Sequence, residues 1–452
     1  MHLIHPLTRP RAHRDTGPVL VVEGRGAEVT LGTGEQVIDG TAGLWCVNVG
    51  HGRRELAEAA AKQMGRLAFT PSFGGFSSIP AAELAERIAS MTPPGLNSVY
   101  FTSGGSEANE SAFKLARYFW TMSGRPEKTV VLSHQRAYHG LSHAATAATR
   151  LSPYRVGFGP LAEGFAEVPA PYAYRCEVGV PCDPATCPVM SGKALEEAIA
   201  TIGADRIAAF IAEPVLGTGG VIVPPDGYLR AVSDICHRAG ILFIADEVIT
   251  GFGRTGRMFG VDREDVCPDM ITFAKGVTSG YIPLGGVVVH DRVWLPIVEL
   301  ATDPPFMHGF TYSGHPVSCA VALRNLDIVE QEGLVGAAHE RGAHLAQRLA
   351  ELRELPEVGE VRHRGLMASV ELVADRSSRA RYPSVAGRAA SAVIAARSHG
   401  LLTRALLDDN LLLAPPFVIS DEQIDRAVDA LTLAIRETSL LPSTLGASRA
   451  AD

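Results

Sequence analysis

Three short stretches carry side chains able to do chemistry, and each follows an apolar run: Ser103-Gly104-Gly105-Ser106-Glu107, Asp246-Glu247 and Lys275. The first leads straight into a helical pattern that begins near Ser106. Amides at a helix N-terminus, with glycines that let the backbone come close, make a seat for an anion such as phosphate, although the same residues suit an ordinary capped turn. Asp246 ends Ile241-Leu242-Phe243-Ile244-Ala245, which delivers its carboxylate to a partly buried place where an unpaired charge is very costly. It therefore needs a cation, and a nearby Arg would serve as a purely structural one. Lys275 ends Ile271-Thr272-Phe273-Ala274. Desolvation moves an amine toward the neutral form that adds to carbonyls, while a snorkelling or ion-paired Lys is the plainer alternative.

In an open α/β sheet, ligands gather at the carboxyl ends of the strands, and all three stretches sit there. The strands expected are 99–102, 129–132, 207–211, 241–245, 270–274 and 286–289, rich in Val, Ile and Phe and apolar on both faces. Helical periodicity alternates with them at 54–64, 81–90, 106–120, 195–202, 228–239 and 317–332. The alternation predicts an α/β fold with a mostly parallel sheet flanked by helices in a large domain over 51–330. A smaller α+β domain is expected over 331–440, with a strand pattern at 365–372, a helix at 385–398, a strand at 411–414 and a helix at 421–436. Residues 1–50, with a strand-like piece at 18–23, are expected to pack with that small domain, and 441–452 to fray.

Jointly the three stretches offer a phosphate seat, a carboxylate for a ring nitrogen and an amine for a Schiff base. That is the set of partners pyridoxal 5'-phosphate (PLP) requires. A carboxylate facing a pyridinium keeps the ring nitrogen protonated, which lets the ring accept electrons from a substrate α-carbon.

The bulk properties agree. The 452 residues are 46% apolar and 20% charged, with a formal net charge of -8 and no long basic block, which excludes a disordered chain and argues against nucleic-acid binding as the main business. No apolar run is long enough for a membrane span. The opening MHLIHPLTRPRAHRD lacks the apolar stretch of a signal peptide, and the 7 cysteines are scattered and odd in number, so a reducing cytoplasm is the expected compartment.

LFIADEVITGFGRTG followed by DMITFAKGVTSGYIPLG resembles the signature of the class III (ω-type) PLP-dependent aminotransferases. TSGGSEANE, the Tyr138-His139-Gly140 turn, Glu213-Pro214 and HGFTYSGHP at 308–316 are also similar to that family, in the same order. The likeness runs from about residue 15 to 438 and implies the PLP fold-type I architecture and a homodimer with active sites at the subunit boundary. It makes Lys275 the Schiff-base lysine and proton carrier, and Asp246 the pyridinium partner. Gly105 and Ser106 would hold the phosphate, helped by Thr311 from the neighbouring subunit. Tyr138 would stack on one ring face beside His139, Val248 would lie against the other, and Glu213 near the ring hydroxyl. Many relatives read Ser-Gly-Ser where this chain has Gly104-Gly105-Ser106, so a hydroxyl contact from position 104 is lost.

Around Gly43-Leu44-Trp45-Cys46 and Leu402-Thr403-Arg404-Ala405 the sequence is similar to the ω-amino acid:pyruvate subgroup. That likeness places Trp45 in the substrate pocket and gives Arg404 the task of clamping a carboxylate and swinging aside for an uncharged amine. A core Trp and a surface Arg are the plainer alternatives. Phe73 and Phe310 would add apolar wall, the latter to the neighbouring site, and Gly74 and Gly75 would widen the donor pocket. The reaction implied is two-step transfer of an amino group from a primary amine or ω-amino acid to a keto acid, with pyruvate expected. An aminomutase, epimerase or decarboxylase could use the same Lys275 and Asp246, and a non-catalytic scaffold could share the fold.

Two patterns point elsewhere. Gly251-Phe252-Gly253-Arg254-Thr255-Gly256 fits G-x-G-x-x-G, yet the succeeding Arg257-Met258-Phe259-Gly260 does not open a helix, as dinucleotide binding requires. Cys176, Cys182 and Cys187 crowd one Pro-rich loop, but the spacing is not the paired C-x-x-C of a ribbon or finger, so no metal is expected.

Overall fold

Runs that are apolar at every position need cover on both faces, and the central sheet receives it. The computed structural model describes residues 2–179, 182–183, 186–300 and 305–440. The tail expected to fray at 441–452 lies outside the described residues. Numbered along the chain, the strands are β1 (Val21–Arg25), β2 (Glu28–Leu31), β3 (Gln36–Asp39), β4 (Leu96–Thr102), β5 (Val130–His134), β6 (Phe165–Val168), β7 (Ile207–Ala212), β8 (Leu242–Asp246), β9 (Met270–Phe273) and β10 (Gly285–His290). They continue with β11 (Val358–Arg364), β12 (Met367–Leu372), β13 (Leu401–Leu402), β14 (Arg404–Leu406) and β15 (Asn410–Leu413).

The chain groups into two units, one of Trp45–Val49 with Arg53–His339, the other of Met1–Leu44, Gly50–Gly52 and Glu340–Asp452. The first holds a seven-stranded sheet of order β4-β10-β9-β8-β7-β5-β6. β10 runs antiparallel to both neighbours, and the pairs from β9 through β6 are parallel. Successive residues of one strand feed opposite cores: Phe210, Phe243 and Val288 join one cluster, Ile211, Ile244, Val287 and Val289 the other. The helices Ile79–Met91 and Tyr228–Ala239 supply Leu84, Ile88 and Val232 to the first, and Gly105–Met122 supplies Phe113 and Trp120 to the second. This two-sided burial is why the apolar runs carry no alternation. The sequence reading misses β6 and the helices His143–Ala148 and Asp291–Leu300, which are short or lack a clean period.

The second unit has a sheet of order β1-β2-β3-β13 and another of order β11-β12-β15-β14. The helices Arg388–Ser398 and Asp421–Ser439 pack together, the latter opened by a capping box of Ser420 and Gln423. Among the described residues no helix is long and apolar enough to cross a membrane.

A buried polar knot ties the second sheet. Glu371 on β12 is buried and accepts from Arg362 Nη1 on β11 at 2.8 Å, while the Arg362 guanidinium also meets Glu360 and Asn410 Oδ1. Ser369 Oγ donates to Asn410 Oδ1 at 3.0 Å, and Asn410 Nδ2 to Leu407 O at 2.7 Å. Removing one partner of such a pair leaves the other charge buried and uncompensated, which costs about 3–5 kcal/mol. Arg362→Met should therefore lower the thermal midpoint of unfolding sharply, and Arg362→Met combined with Glu371→Leu should recover much of the loss in the same melt.

Candidate active site

The carboxyl ends of β4, β9, β8, β7 and β5 lie along one edge of the large sheet, and the functional groups come in that order. Asp246 is the last residue of β8 and pairs with Thr272 of β9, two residues before the Ala274-Lys275 step. Its side chain is 3% exposed. Oδ2 meets His139 Nδ1 at 2.7 Å and accepts from Asn109 Nδ2 at 2.9 Å, and Oδ1 accepts from the Val248 amide at 3.0 Å. An imidazole and a carboxamide are therefore the side chains hydrogen-bonded to it, an arrangement suited to a positively charged ligand.

The turn after β4 brings the anion seat to this carboxylate. The helix Gly105–Met122 opens without a side-chain cap from Gly104, and Glu107 Oε2 instead accepts from the Ser103 amide at 2.8 Å. Gly105 faces Val248: a β-carbon there would fall 2.8 Å from Val248 Cγ1, so no larger residue fits. The Tyr138-His139-Gly140 turn presses on the same helix end, where a β-carbon on Gly140 would meet Ser106 Oγ at 2.3 Å. Ser106 Oγ accepts from the Leu141 amide at 3.2 Å, and Asn109 Nδ2 donates to His139 O at 2.7 Å. Sequence reasoning passed over Asn109; its place one turn into the helix, i+4 from Gly105, was the available signal.

Glu213 follows β7 and is buried, with Oε1 accepting from the Tyr138 amide and Oε2 from the Gly217 amide, both at 2.9 Å. Burial pushes its carboxyl up to about 7, and the nearby Asp246 adds to this while His139 and the two amides oppose it. Tyr138 lies edge-on to Tyr154, ring centroids 5.3 Å apart.

Lys275 has φ +43, in the left-handed region that a long side chain adopts only when its surroundings insist. They do so here. Asn325 Nδ2 donates to the carbonyls of Gly276 and Val277, both at 3.0 Å, and a β-carbon on Gly276 would strike Asn48 Nδ2 at 2.5 Å. The turn Lys275–Val277 is thus clamped from two sides, and its first residue is aimed rather than free to wander. Neither Asn48 nor Asn325 stands out in sequence, because their partners are more than forty residues away.

These contacts bring Gly105, Ser106, Tyr138, His139, Glu213, Asp246 and Val248 together, with Lys275 on the adjoining strand end. They fit PLP: a helix start at Gly105, a buried carboxylate hydrogen-bonded by His139 and Asn109, and a lysine whose backbone is clamped at φ +43. A second group holds Phe73, Phe310 and Thr311. A β-carbon on Gly309 would meet Phe73 Cε1 at 2.5 Å, the Phe310 amide donates to Ser313 Oγ at 3.3 Å, and Thr311 is exposed. Gly74 and Gly75 have φ +62 and +85 with open space around both, so the backbone conformation alone accounts for glycine there. Trp45 is 2% exposed with φ +63, and Arg404 on β14 is half-buried. The segment 251–256 runs through consecutive turns, and no α-helix succeeds it directly.

The family model "Aminotransferase class-III" matches residues 10–435. The chain is 38% identical to the putrescine–pyruvate aminotransferase of Pseudomonas aeruginosa, over 97% of this chain and 95% of that protein. It is 39% identical to the diaminobutyrate–2-oxoglutarate transaminase of Halomonas elongata, over 98% of this chain and 95% of that one. The solved structure of an (S)-enantioselective omega-transaminase from Thermomicrobium roseum superposes with a TM-score of 0.93 at 47% identity, covering 97% of this chain and 96% of that chain.

The raised Glu213 carboxyl sets a pH signature. Between its ordinary value of 4.5 and about 7 the folded state holds a proton that the unfolded chain has shed, so this group's contribution falls as pH rises through that window and is level above it. Thermal melts from pH 4.5 to 7 should show the midpoint of Glu213→Gln gaining steadily on wild type. A gap that stays constant across the window contradicts the assignment.

Proposed function

Because the chain belongs to the class III aminotransferases and is a PLP-dependent enzyme of amino transfer, we propose that it takes the amino group from a primary amine or ω-amino acid and passes it to pyruvate, with Lys275 and Asp246 as the catalytic residues. The observation that carries this reading is the buried Asp246 carboxylate, hydrogen-bonded by His139 and Asn109, beside a lysine held at φ +43. Bound PLP supplies a protonated ring that withdraws electrons from the substrate α-carbon.

The protein's part is binding, aim and proton movement. Asp246 holds the proton on the ring nitrogen, and His139 and Asn109 fix the rotation of its carboxylate. The amides of Gly105 and Ser106, at the positive end of an eighteen-residue helix, receive the phosphate. Tyr138 and Val248 would flank the ring, and Glu213 would lie near its hydroxyl. Lys275 Nζ carries the proton between the substrate carbon and the cofactor, a transfer that depends on the clamped backbone for its geometry.

The acceptor is argued from the name of the Pseudomonas aeruginosa relative and from Trp45 and Arg404. Arg404 gives a carboxylate substrate a bidentate partner. A homodimer is favoured by the apolar side chains of Phe69, Phe73, Phe76, Ile79 and Tyr312, all of which are exposed, with Phe69 edge-on to Tyr312 next to Thr311 in sequence. In that assembly Phe310 and Thr311 reach the neighbouring site. No disulfide joins the described cysteines, which suits the cytoplasm.

Mixing single amines with the yellow enzyme should bleach its long-wavelength absorbance, and pyruvate should restore it. Recovery with 2-oxoglutarate alone overturns the pyruvate assignment. Lys275→Ala should show neither change, with turnover reduced by at least about 10⁴-fold, the upper range for a lost proton carrier. Arg404→Ala should lose rate with carboxylate acceptors while still bleaching with uncharged amines; equal loss in both half-reactions contradicts the clamp.

A further inference from the structure

Three of the 7 cysteines fall in the loop between β6 and the helix Lys193–Ile202, whose described residues hold a single 3-10 turn at Ala173–Arg175 as regular structure. Its own small core consists of Cys176, Cys187, Val189 and Met190, with Cys182 and Ala194 packed against it.

The spacing gave no reason to expect a metal, yet folding draws the three sulphurs together. The thiols of Cys176, Cys182 and Cys187 all lie within 4.8 Å of one another, and the Sγ atoms of Cys176 and Cys187 are 3.5 Å apart. Zinc–thiolate bonds of about 2.3 Å in tetrahedral geometry set sulphurs roughly 3.8 Å apart. The triangle therefore needs only small rotations to meet at one ion. Plain hydrophobic packing has no need for three sulphurs to converge, since cysteine then behaves as a small apolar side chain. A disulfide would use two of them and leave the third without a task.

Cys176 and Cys187 are 8% and 7% exposed, whereas Cys182 remains partly open and gives an ion its way in. The backbone is fixed by hydrogen bonds from Cys187 N to Asp183 O at 2.9 Å, Ser191 N to Cys187 O at 3.0 Å and Gly179 N to Cys176 O at 3.2 Å. Among the described residues no His, Asp or Glu joins the three thiols.

We propose that Cys176, Cys182 and Cys187 form a tri-thiolate zinc site, with a solvent molecule completing the coordination, that staples this loop. Thiolates select zinc over the hard cations magnesium and calcium. Three Zn–S bonds form as three thiols give up their protons to solvent, and no electron changes hands. The site is structural and stands apart from the PLP chemistry, so its loss loosens the loop without removing the aminotransferase.

The test uses untagged holoenzyme, loaded with zinc, gel-filtered and assayed for metal by atomic emission. The expected result is one zinc per chain, lost in Cys176→Ser and in Cys182→Ser, kept in Cys267→Ser, with cofactor absorbance and turnover unchanged. Chelation should expose the loop to limited proteolysis. Should the serine variants fail to fold, cobalt substitution of the wild type decides: intense tetrahedral d–d bands support the site, and their absence overturns it. Less than a tenth of a zinc per chain overturns it, and so does zinc that the serine variants retain. A wild-type mass two hydrogens light and restored by reductant assigns a disulfide instead and also overturns it.

Discussion

Burial of the Asp246 carboxylate is the constraint around which the large unit is arranged. An ion removed from water at the end of β8 costs several kcal/mol unless its surroundings compensate. His139, Asn109 and the Val248 amide provide hydrogen bonds, but none brings a fixed positive charge. In satisfying the carboxylate, Asn109 and His139 also join three pieces of chain: the helix from Gly105, the 138–140 turn and the strand end. The charge therefore organises the elements proposed to receive the cofactor, and a cationic ring nitrogen held there would link cofactor binding to folding stability in this unit.

The sheet acts as a ruler for the other groups. Adjacent strands are about 4.8 Å apart, which places the ends of β9, β8 and β7, and hence Lys275, Asp246 and Glu213, at successive intervals of that size. The proposed phosphate seat begins three strands from Asp246, at β4, and reaches it because the helix Gly105–Met122 packs across β10, β9 and β7. The strand ends fix direction as well as distance. Lys275 departs from its strand in a left-handed conformation that the Asn325 and Asn48 side chains enforce, a local strain at the one residue whose amine must be aimed.

How much of this was legible in the sequence depends on which interactions are local. Strands buried on both faces read as plain apolar runs, so β4, β7, β8, β9 and β10 could be placed to within a few residues, and the motifs after them fell on the right edge. The helix opening at Gly105 was equally plain, because glycines and a hydroxyl precede a clear period. What stayed hidden rests on distant partners. Asn325 supports Gly276 across 49 positions and Asn109 meets Asp246 across 137, and neither carries a local signal. The partly exposed β11 alternates too weakly to stand out. The three thiols of the 176–187 loop converge through a fold with no regular period at all, and spacing rules written for paired C-x-x-C motifs could not anticipate it.

The same division explains why the chemistry is easier to read than the substrate. Residues at the cofactor end are held by buried polar contacts, several to each group, and tolerate few replacements: Gly105 has no room for a β-carbon, and Glu213 spends both oxygens on backbone amides. Phe73, Phe310 and Thr311, proposed for the substrate side, lie on irregular chain. Phe73 and Thr311 are exposed, and Gly74 and Gly75 have open space around them and answer to their own backbone conformation. Loops with so few internal bonds can change length and side chains at little cost in stability. A fold built this way can keep one reaction while its donors diverge. Relatives of similar identity can accordingly bear names as different as putrescine–pyruvate and diaminobutyrate–2-oxoglutarate transaminase, and the donor has to be found at the bench.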